Sequence, residues 1–226
     1  MEHPRGGPGS ALLLLADGRF PAGGHAHSGG IEAAVAAGGV TDLATLTGFL
    51  TGRLHTAGRT AAGLAAAAAG GLDPQLLDQA ADARTPAPAL RTASRRLGRQ
   101  LLRAARACWP DPQWATLTDP HHPVVLGLLA RAAGLAPEQA AVVAAHESVN
   151  GPATAAVRLL GLDPYQVVGL LARLAPAVDA VAAEAAAAAR AADRHADPDL
   201  LPCAGAPLLD LLAERHHGWA VKLFAS

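Results

Sequence analysis

The amino-acid sequence predicts an all-α protein, folded as a single compact domain of about ten helices. Alanine supplies much of the 51% apolar content, and alanine has the strongest helix propensity. Strand signals are nearly absent, because β-branched runs are few and no Asn-Gly or Asp-Gly turn joins two alternating segments. The length of 226 residues suits one domain, and with only 3% aromatic residues its core must be built from many small contacts.

Capping residues and glycines divide the first half of the chain into helices. Ser28 and Thr41 are predicted N-caps, and the pair Gly38-Gly39 ends a helix. Leucines between Leu43 and Leu54 recur at helical spacing, which predicts a buried stripe. The predicted spans are 10–16, 29–37, 42–58, 59–69, 74–83 and 89–107.

Prolines open the helices of the second half, because proline in a first helical turn removes no needed donor. The predicted spans are 123–133, a helix that begins at 137, 151–162, 164–192 and 208–224. A kink is expected at Pro176, and a linker over 194–207. We expect residues 1–226 to form one domain, with a flexible N-terminus over about 1–9 and a partner-binding tail over about 213–226.

Charge and cysteine content argue against several classes of protein. A net charge of −1 and an isoelectric point near 6.8 do not favour nucleic acid or an anionic membrane as partner. Cys108 and Cys203 fit no disulfide framework and no thiolate zinc site. The apolar run 11–16 is too short for a signal peptide or a membrane span. We therefore expect a cytoplasmic protein that binds neither nucleic acid nor membrane.

The stretch LADGRFPAGGHAHSGGIEAA, residues 15–34, raises three chemical possibilities. A phosphate-binding loop is excluded because the stretch has no lysine, and Lys222 is the only lysine in the chain. His25 and His27 form an HxH pattern that can bind a transition-metal ion weakly, but a stable metal site is not expected. A nucleophilic Ser28 is disfavoured because no GxSxG turn surrounds it. We expect no catalytic residue and no cofactor.

Two other functions stay open from the residues alone. One is a histidine-dependent metal-binding enzyme built on His25, His27 and the pair His121-His122. The other is a nucleic-acid-binding module that uses the basic helix over 89–107. The arginines of that helix form either a solvated face or a strip for an acidic partner. They are Arg91, Arg95, Arg99, Arg103 and Arg106.

Glu32 and the C-terminal segment each allow a structural and a functional interpretation. Glu32 stands in a predicted first helical turn, where the helix dipole stabilises a carboxylate; alternatively, it presents that carboxylate to a partner. The segment RHHGWAVKLFAS, residues 215–226, combines aromatic and basic side chains. That combination suits either a helix packed on the core or a tail that binds a partner.

A series of motifs runs along nearly the whole chain in order. The first holds Asp17, Pro21, Gly23, His27, Ser28, Gly30 and Glu32. It is followed by LRTASRRLGRQLLR, HHPVVLGLLA, AAVRLLGL and ERHHGWAVKLFAS. With this series the sequence resembles the UreF family of urease accessory proteins. It departs from the family after Arg158, where LGLDP replaces a Pro-Leu-Gly-Gln turn, and at His217, where the family usually has Glu.

The resemblance implies an all-helical, homodimeric, non-enzymatic chaperone. Such a protein would bridge the GTPase UreG and the accessory protein UreD, also called UreH, which docks on the urease apoprotein. Together they would deliver nickel to the urease active site. The resemblance places partner contacts in the glycine-rich loop and the tail, and the basic helix is a candidate because of its arginines. The candidate residues are Asp17, Pro21, Gly23, Gly24, His27, Ser28, Glu32, Arg95, Arg99, Arg158, Arg215, His216, Lys222, Leu223 and Phe224.

Overall fold

The computed structural model describes residues 8–18, 20–21 and 27–224, and every regular element in this part of the chain is helical. The all-α prediction is confirmed. The ten α-helices are α1 (Pro8–Ala16), α2 (Ile31–Ala36), α3 (Leu43–Arg53), α4 (Arg59–Gly70), α5 (Pro74–Ala83), α6 (Pro88–Cys108), α7 (His122–Ala132), α8 (Pro137–Leu160), α9 (Pro164–His195) and α10 (Pro207–His217). Helix α1 includes residues 8–9 of the N-terminus expected to be flexible; residues 1–7 lie outside the described residues.

Helix α4 lies at the centre of the core, with α7, α8 and α9 packed around it. Nearly all of α4 is buried, and most of its buried residues are alanine. Where α4 crosses α7, a Cβ atom added to Gly127 would lie 2.7 Å from the Cβ atom of Ala68 and closer still to the Ala65 carbonyl oxygen. Small side chains therefore let the helices approach closely, and burial is spread over many small contacts.

Helices α3 and α4 form one continuous rod, joined by the π-helical turn Leu54–Gly58. The predicted division into two helices is wrong, because the backbone stays helical through this wider turn.

The predicted Thr41 cap is also wrong. The Asp42 carboxylate accepts the N–H of Thr45 at 2.8 Å, and the Thr45 hydroxyl accepts the N–H of Asp42 at 3.1 Å. Asp42 is therefore the N-cap of α3, in a capping box with Thr45.

Helix α8 is a single helix, although the sequence predicted a new helix over 151–162. Pro152 lies in its interior, and proline has no N–H to donate to the carbonyl of the residue four positions earlier, Ser148. The side chain of Arg53 replaces that donor, with its Nε atom 2.9 Å from the Ser148 carbonyl oxygen. The helix therefore continues through Pro152 because a residue of α3 satisfies the carbonyl that the proline leaves open.

Helix α9 continues through Pro176 and packs along α4 and α8. Among the described residues it is the one helix long and apolar enough to cross a membrane by length and composition, a test that core helices also pass.

The last helix is shorter than predicted. Helix α10 ends at His217, and residues 218–224 form a non-helical tail. The predicted helix over 208–224 is therefore wrong beyond His217, because the tail turns back and bonds to Glu32 of α2.

Candidate functional site

Four residues join the two ends of the described chain, and we call them the C-terminal latch: Glu32, His216, Leu223 and Phe224. The Glu32 carboxylate accepts hydrogen bonds from Nε2 of His216 at 2.8 Å, from the N–H of Leu223 at 2.8 Å and from the N–H of Phe224 at 3.1 Å. One carboxylate thus fixes both the end of α10 and the tail that follows it.

The backbone before α2 places Glu32 for this contact. Gly29 and Gly30 both have positive φ, at +61° and +91°, a region that glycine enters without strain. Gly30 is the N-cap of α2, so the predicted cap at Ser28 is wrong. The Ser28 hydroxyl instead lies 3.5 Å from the N–H of Glu32, inside the first turn. The two glycines reverse the chain so that Glu32 points toward α10 rather than into solvent.

The carboxylate at the centre of the latch is buried, and its hydrogen bonds favour the charged form of Glu32. Glu32 is only 6% exposed, and burial alone raises the pKa of a carboxyl. The hydrogen bonds from Leu223, His216 and Phe224 outweigh that burial, so the pKa of Glu32 lies below its ordinary value. The ring of Trp219 lies on His216 with the ring centroids 4.7 Å apart, which further fixes the end of α10.

The latch buries one aromatic side chain of the tail and leaves apolar ones outside. Phe224 is 9% exposed, whereas its neighbour Leu223 is 78% exposed. The exposed apolar side chains of α10 and the tail form what we call the outer face: Leu208, Leu211, Val221 and Leu223. Arg215 is exposed on the same helix, and Lys222 Nζ donates to the His217 carbonyl at 2.8 Å. Leu208 and Leu211 are one helical turn apart and therefore lie on the same side of α10.

Behind the latch lies a cavity of about 410 Å³, lined by residues of α4, α6, α7, α8 and α10. His216 and Phe224 form part of its wall, so the latch and the cavity share two residues. Other candidates from the sequence that line it are Asp17, His27 and Arg158. Pro21 is exposed, while Gly23, Gly24 and His25 lie outside the described residues.

Burial shifts the pKa of two titratable side chains on the cavity wall toward their neutral forms. Burial raises the pKa of Glu147 to about 8. Burial, with a smaller effect of nearby His27, lowers the pKa of His122 to about 4. The two side chains lie 3.9 Å apart between His122 Nε2 and Glu147 Oε2, too far for a hydrogen bond. Glu147 lines the cavity, and a third of its side chain is solvent-accessible.

Part of the basic helix is bonded to acidic residues of the same chain. Arg95 binds Asp78 at 3.0 Å and Asp82 at 2.6 Å, and Arg99 pairs with Asp119. Asp78, Asp82 and His121 are also the one group of three metal-type ligands that converges within the described residues. Because Arg95 already pairs with both carboxylates, we describe this group as an ion-pair network rather than as an open cation site. His121 completes the network, with Nε2 2.9 Å from Asp82.

Sequence reasoning identified the members of the latch but not their mutual contact, and it missed Arg53. The only sequence signal for Arg53 is Pro152, which predicts an open carbonyl in α8 without saying which side chain fills it. His122 entered only as half of a histidine pair.

Comparison with known proteins gives a consistent result. The UreF family model matches residues 40–175. The chain is 49% identical over 219 residues to the urease accessory protein UreF of Mycobacterium sp. (strain JLS), covering 96% of this chain and 98% of that protein. It is 45% identical over 222 residues to UreF of Mycolicibacterium vanbaalenii and 46% identical over 220 residues to UreF of Mycobacterium tuberculosis, each with 96% of this chain and 98% of the relative covered.

Proposed function

The chain belongs to the UreF family of urease accessory proteins, and from this premise we propose that it is a non-enzymatic bridge in urease maturation. It binds the GTPase UreG and the accessory protein UreD (UreH), and through UreD it reaches the urease apoprotein. Its task is to assist nickel insertion as a cytoplasmic chaperone, with nickel as cargo rather than as a resident cofactor.

The observation that carries this proposal is the outer face held beside the latch. Leu208 and Leu211 project from α10 and Val221 and Leu223 from the tail, each about two thirds exposed or more. Ordering a tail has an entropic cost, and a partner binds more tightly to a tail that is already ordered. The three hydrogen bonds to Glu32 provide that order without covering the outer face. We therefore assign the outer face to UreD.

Residues outside the candidate set support contacts with a second partner and with a second copy of the chain. Arg103 and Arg96 on α6 have no ion-pair partner among the described residues, so they are the arginines of this helix best placed for an acidic partner such as UreG. For the homodimer we propose the outer side of α9, where Tyr165 is 87% and Val168 is 64% exposed. Arg95 and Arg99 stay candidates, although intramolecular carboxylates already bind them.

Complex formation with purified UreD and UreG tests the proposal. Leu211→Glu places a charge on the outer face, and Leu76→Glu on exposed α5 is the matched control. We expect the wild type and Leu76→Glu to form a ternary complex under reducing conditions and to support urease activation. Leu211→Glu should lose UreD binding by at least about tenfold, because a charge opposes burial of the interface core.

Failure of the wild type to bind either partner would overturn the proposed function. Equal UreD binding by Leu211→Glu and wild type would overturn the assignment of the outer face.

A further inference from the structure

A serine, a histidine and an aspartate from three different helices form a chain of hydrogen bonds. Oγ of Ser94 on α6 lies 2.9 Å from Nδ1 of His121, the N-cap of α7, and Nε2 of His121 lies 2.9 Å from Oδ1 of Asp82 on α5. A carboxylate only accepts hydrogen bonds, so Nε2 of the neutral ring carries the proton and Nδ1 accepts the Ser94 hydroxyl. A hydroxyl, a base and a carboxylate that orients the base are the groups that activate a serine nucleophile.

The imidazole of His121 is held in this orientation by its surroundings. Its side chain is 1% exposed, and the His121 N–H donates to Oδ1 of Asp78 at 2.7 Å. Asp82 also binds Arg95 at 2.6 Å. Burial raises the pKa of Asp82, but the hydrogen bond from His121 and the charge of Arg95 outweigh it, so this pKa lies below its ordinary value. The base therefore stands beside Ser94 with an ionised carboxylate behind it.

Ser94 and His121 both line the cavity behind the latch, and Ser94 is only half-buried. Leu90 and Leu97 lie four positions before and three positions after Ser94, so they are on the same side of α6. Both leucines line the cavity, as does Leu126 of α7. Its volume of about 410 Å³ falls within the range of about 300–1,000 Å³ that is usual for small-molecule sites. An apolar wall beside a hydroxyl suits the acyl chain of an ester.

The start of α7 supplies a hydrogen-bond donor next to the hydroxyl. The backbone nitrogen of His122 lies 3.3 Å from Oγ of Ser94. This N–H belongs to the first turn of α7, whose N–H groups have no acceptor within the helix. When a serine oxygen attacks a carbonyl carbon, negative charge develops on the carbonyl oxygen, and a backbone N–H beside the serine stabilises that charge.

We propose that Ser94 is the nucleophile of an acyl-transfer site that takes esters with short apolar acyl groups. Oγ of Ser94 bonds to the ester carbonyl carbon while its proton passes to Nδ1 of His121. The bond from that carbon to the alcohol oxygen then breaks, and the departing alcohol takes the proton from His121. Water attacks the acyl group in the same way, which releases the carboxylic acid and restores the Ser94 hydroxyl. This activity is additional to the bridging role, which requires no reaction.

Labelling of the full-length protein with an alkyl fluorophosphonate tests this inference. The reagent forms a bond from Oγ to phosphorus and releases fluoride, with the serine proton passing to the histidine. Intact mass spectrometry and peptide mapping should show one adduct per folded chain, at Ser94, and the adduct should block hydrolysis of p-nitrophenyl butyrate. Absence of an adduct at Ser94, or equal labelling of the folded chain and the urea-unfolded chain, would overturn the inference.

Variants separate activation of Ser94 from mere exposure of a hydroxyl. Ser94→Ala should lose the adduct. Ser148→Ala removes a serine that lines the same cavity but donates to the Ala145 carbonyl at 2.7 Å, and it should label like the wild type.

Asp82→Asn tests the role of the carboxylate. Asparagine no longer holds the ring of His121 with Nδ1 as acceptor, so labelling should be at least about a hundredfold slower. Asp78→Asn, which alters the contact to the His121 backbone but not to its ring, is the matched control and should label at close to the wild-type rate. Both variants are compared below their unfolding temperatures. Equal rates for Asp82→Asn and wild type would contradict the proposed activation. The measurement contains no UreD or UreG, so its failure would leave the proposed bridging function unaffected.

Discussion

Nε2 of His216 lies 2.8 Å from Oε2 of Glu32, which is 184 positions earlier in the chain, and both side chains are buried. This contact joins the first turn of α2 to the last turn of α10. The same carboxylate receives the N–H groups of Leu223 and Phe224, so the tail is fixed by backbone groups as well as by a side chain. The conformation of the tail therefore depends on the charge of one residue.

Replacing Glu32 by Gln should release the tail. Glutamine keeps the shape but loses the charge that strengthens three hydrogen bonds, so we expect the free energy of unfolding to fall by about 1–3 kcal/mol. Amide hydrogen exchange at residues 219–224 should become much faster in this variant. Glu184→Gln, which alters an exposed ion pair with Arg59, is the control and should leave exchange in the tail unchanged.

Acid should open the latch in the same way. The folded-state pKa of Glu32 is below its ordinary value of 4.5, so the stabilisation is fully present above about that pH and is lost as pH falls through the folded pKa. Amide resonances of Leu223 and Phe224 should report this transition. A tail that stays ordered after Glu32 is protonated would contradict the dominant role of this carboxylate.

Glu147 and His122 on the cavity wall should also make the stability of the protein depend on pH. The effect of Glu147 has the opposite sign to that of Glu32 and occurs at higher pH. Glu147 keeps its proton in the native state up to about pH 8, whereas the unfolded chain releases it near 4.5, so stability falls as pH rises across that interval. His122, with a native pKa of about 4 against an ordinary 6.5, makes stability rise between those two values. Between pH 6.5 and 8 only the effect of Glu147 should remain.

Thermal unfolding of Glu147→Gln tests this sign. The midpoint of the variant minus that of the wild type should grow from pH 6.5 to 8, because glutamine has no proton to lose. Glu138→Gln, on the surface beside Arg190, should show a constant difference over the same range. A difference for Glu147→Gln that stays constant over this range would show that Glu147 is already ionised in the native state at pH 6.5.

Close packing of the core helices predicts a strong effect at one glycine. Gly127→Ala would place a methyl group against Ala65 and Ala68 of α4, and overpacking of this kind should lower the free energy of unfolding by about 3 kcal/mol. Gly48→Ala in exposed α3 meets no atom within 4 Å and should raise it by about 0.5–1 kcal/mol, through helix propensity alone. Chemical denaturation of the two variants measures both effects.

The sequence predicted features that depend on neighbouring residues, but not contacts between residues that are far apart in the chain. Proline, glycine and alanine patterns act locally, so the fold class and most helix boundaries followed from them. Pro152 misled the prediction because its effect on α8 is offset by Arg53, which no local pattern reveals. Glu32 already had a sufficient local explanation in the helix dipole, and its pairing with His216 depends on how the two ends of the chain meet.

A binding titration of UreD with wild type, Glu32→Gln and Glu184→Gln tests whether the latch presents the partner-binding surface. Glu32→Gln should remain folded and bind UreD at least about tenfold more weakly, while Glu184→Gln should bind like the wild type. Equal affinity of all three proteins for UreD would contradict it.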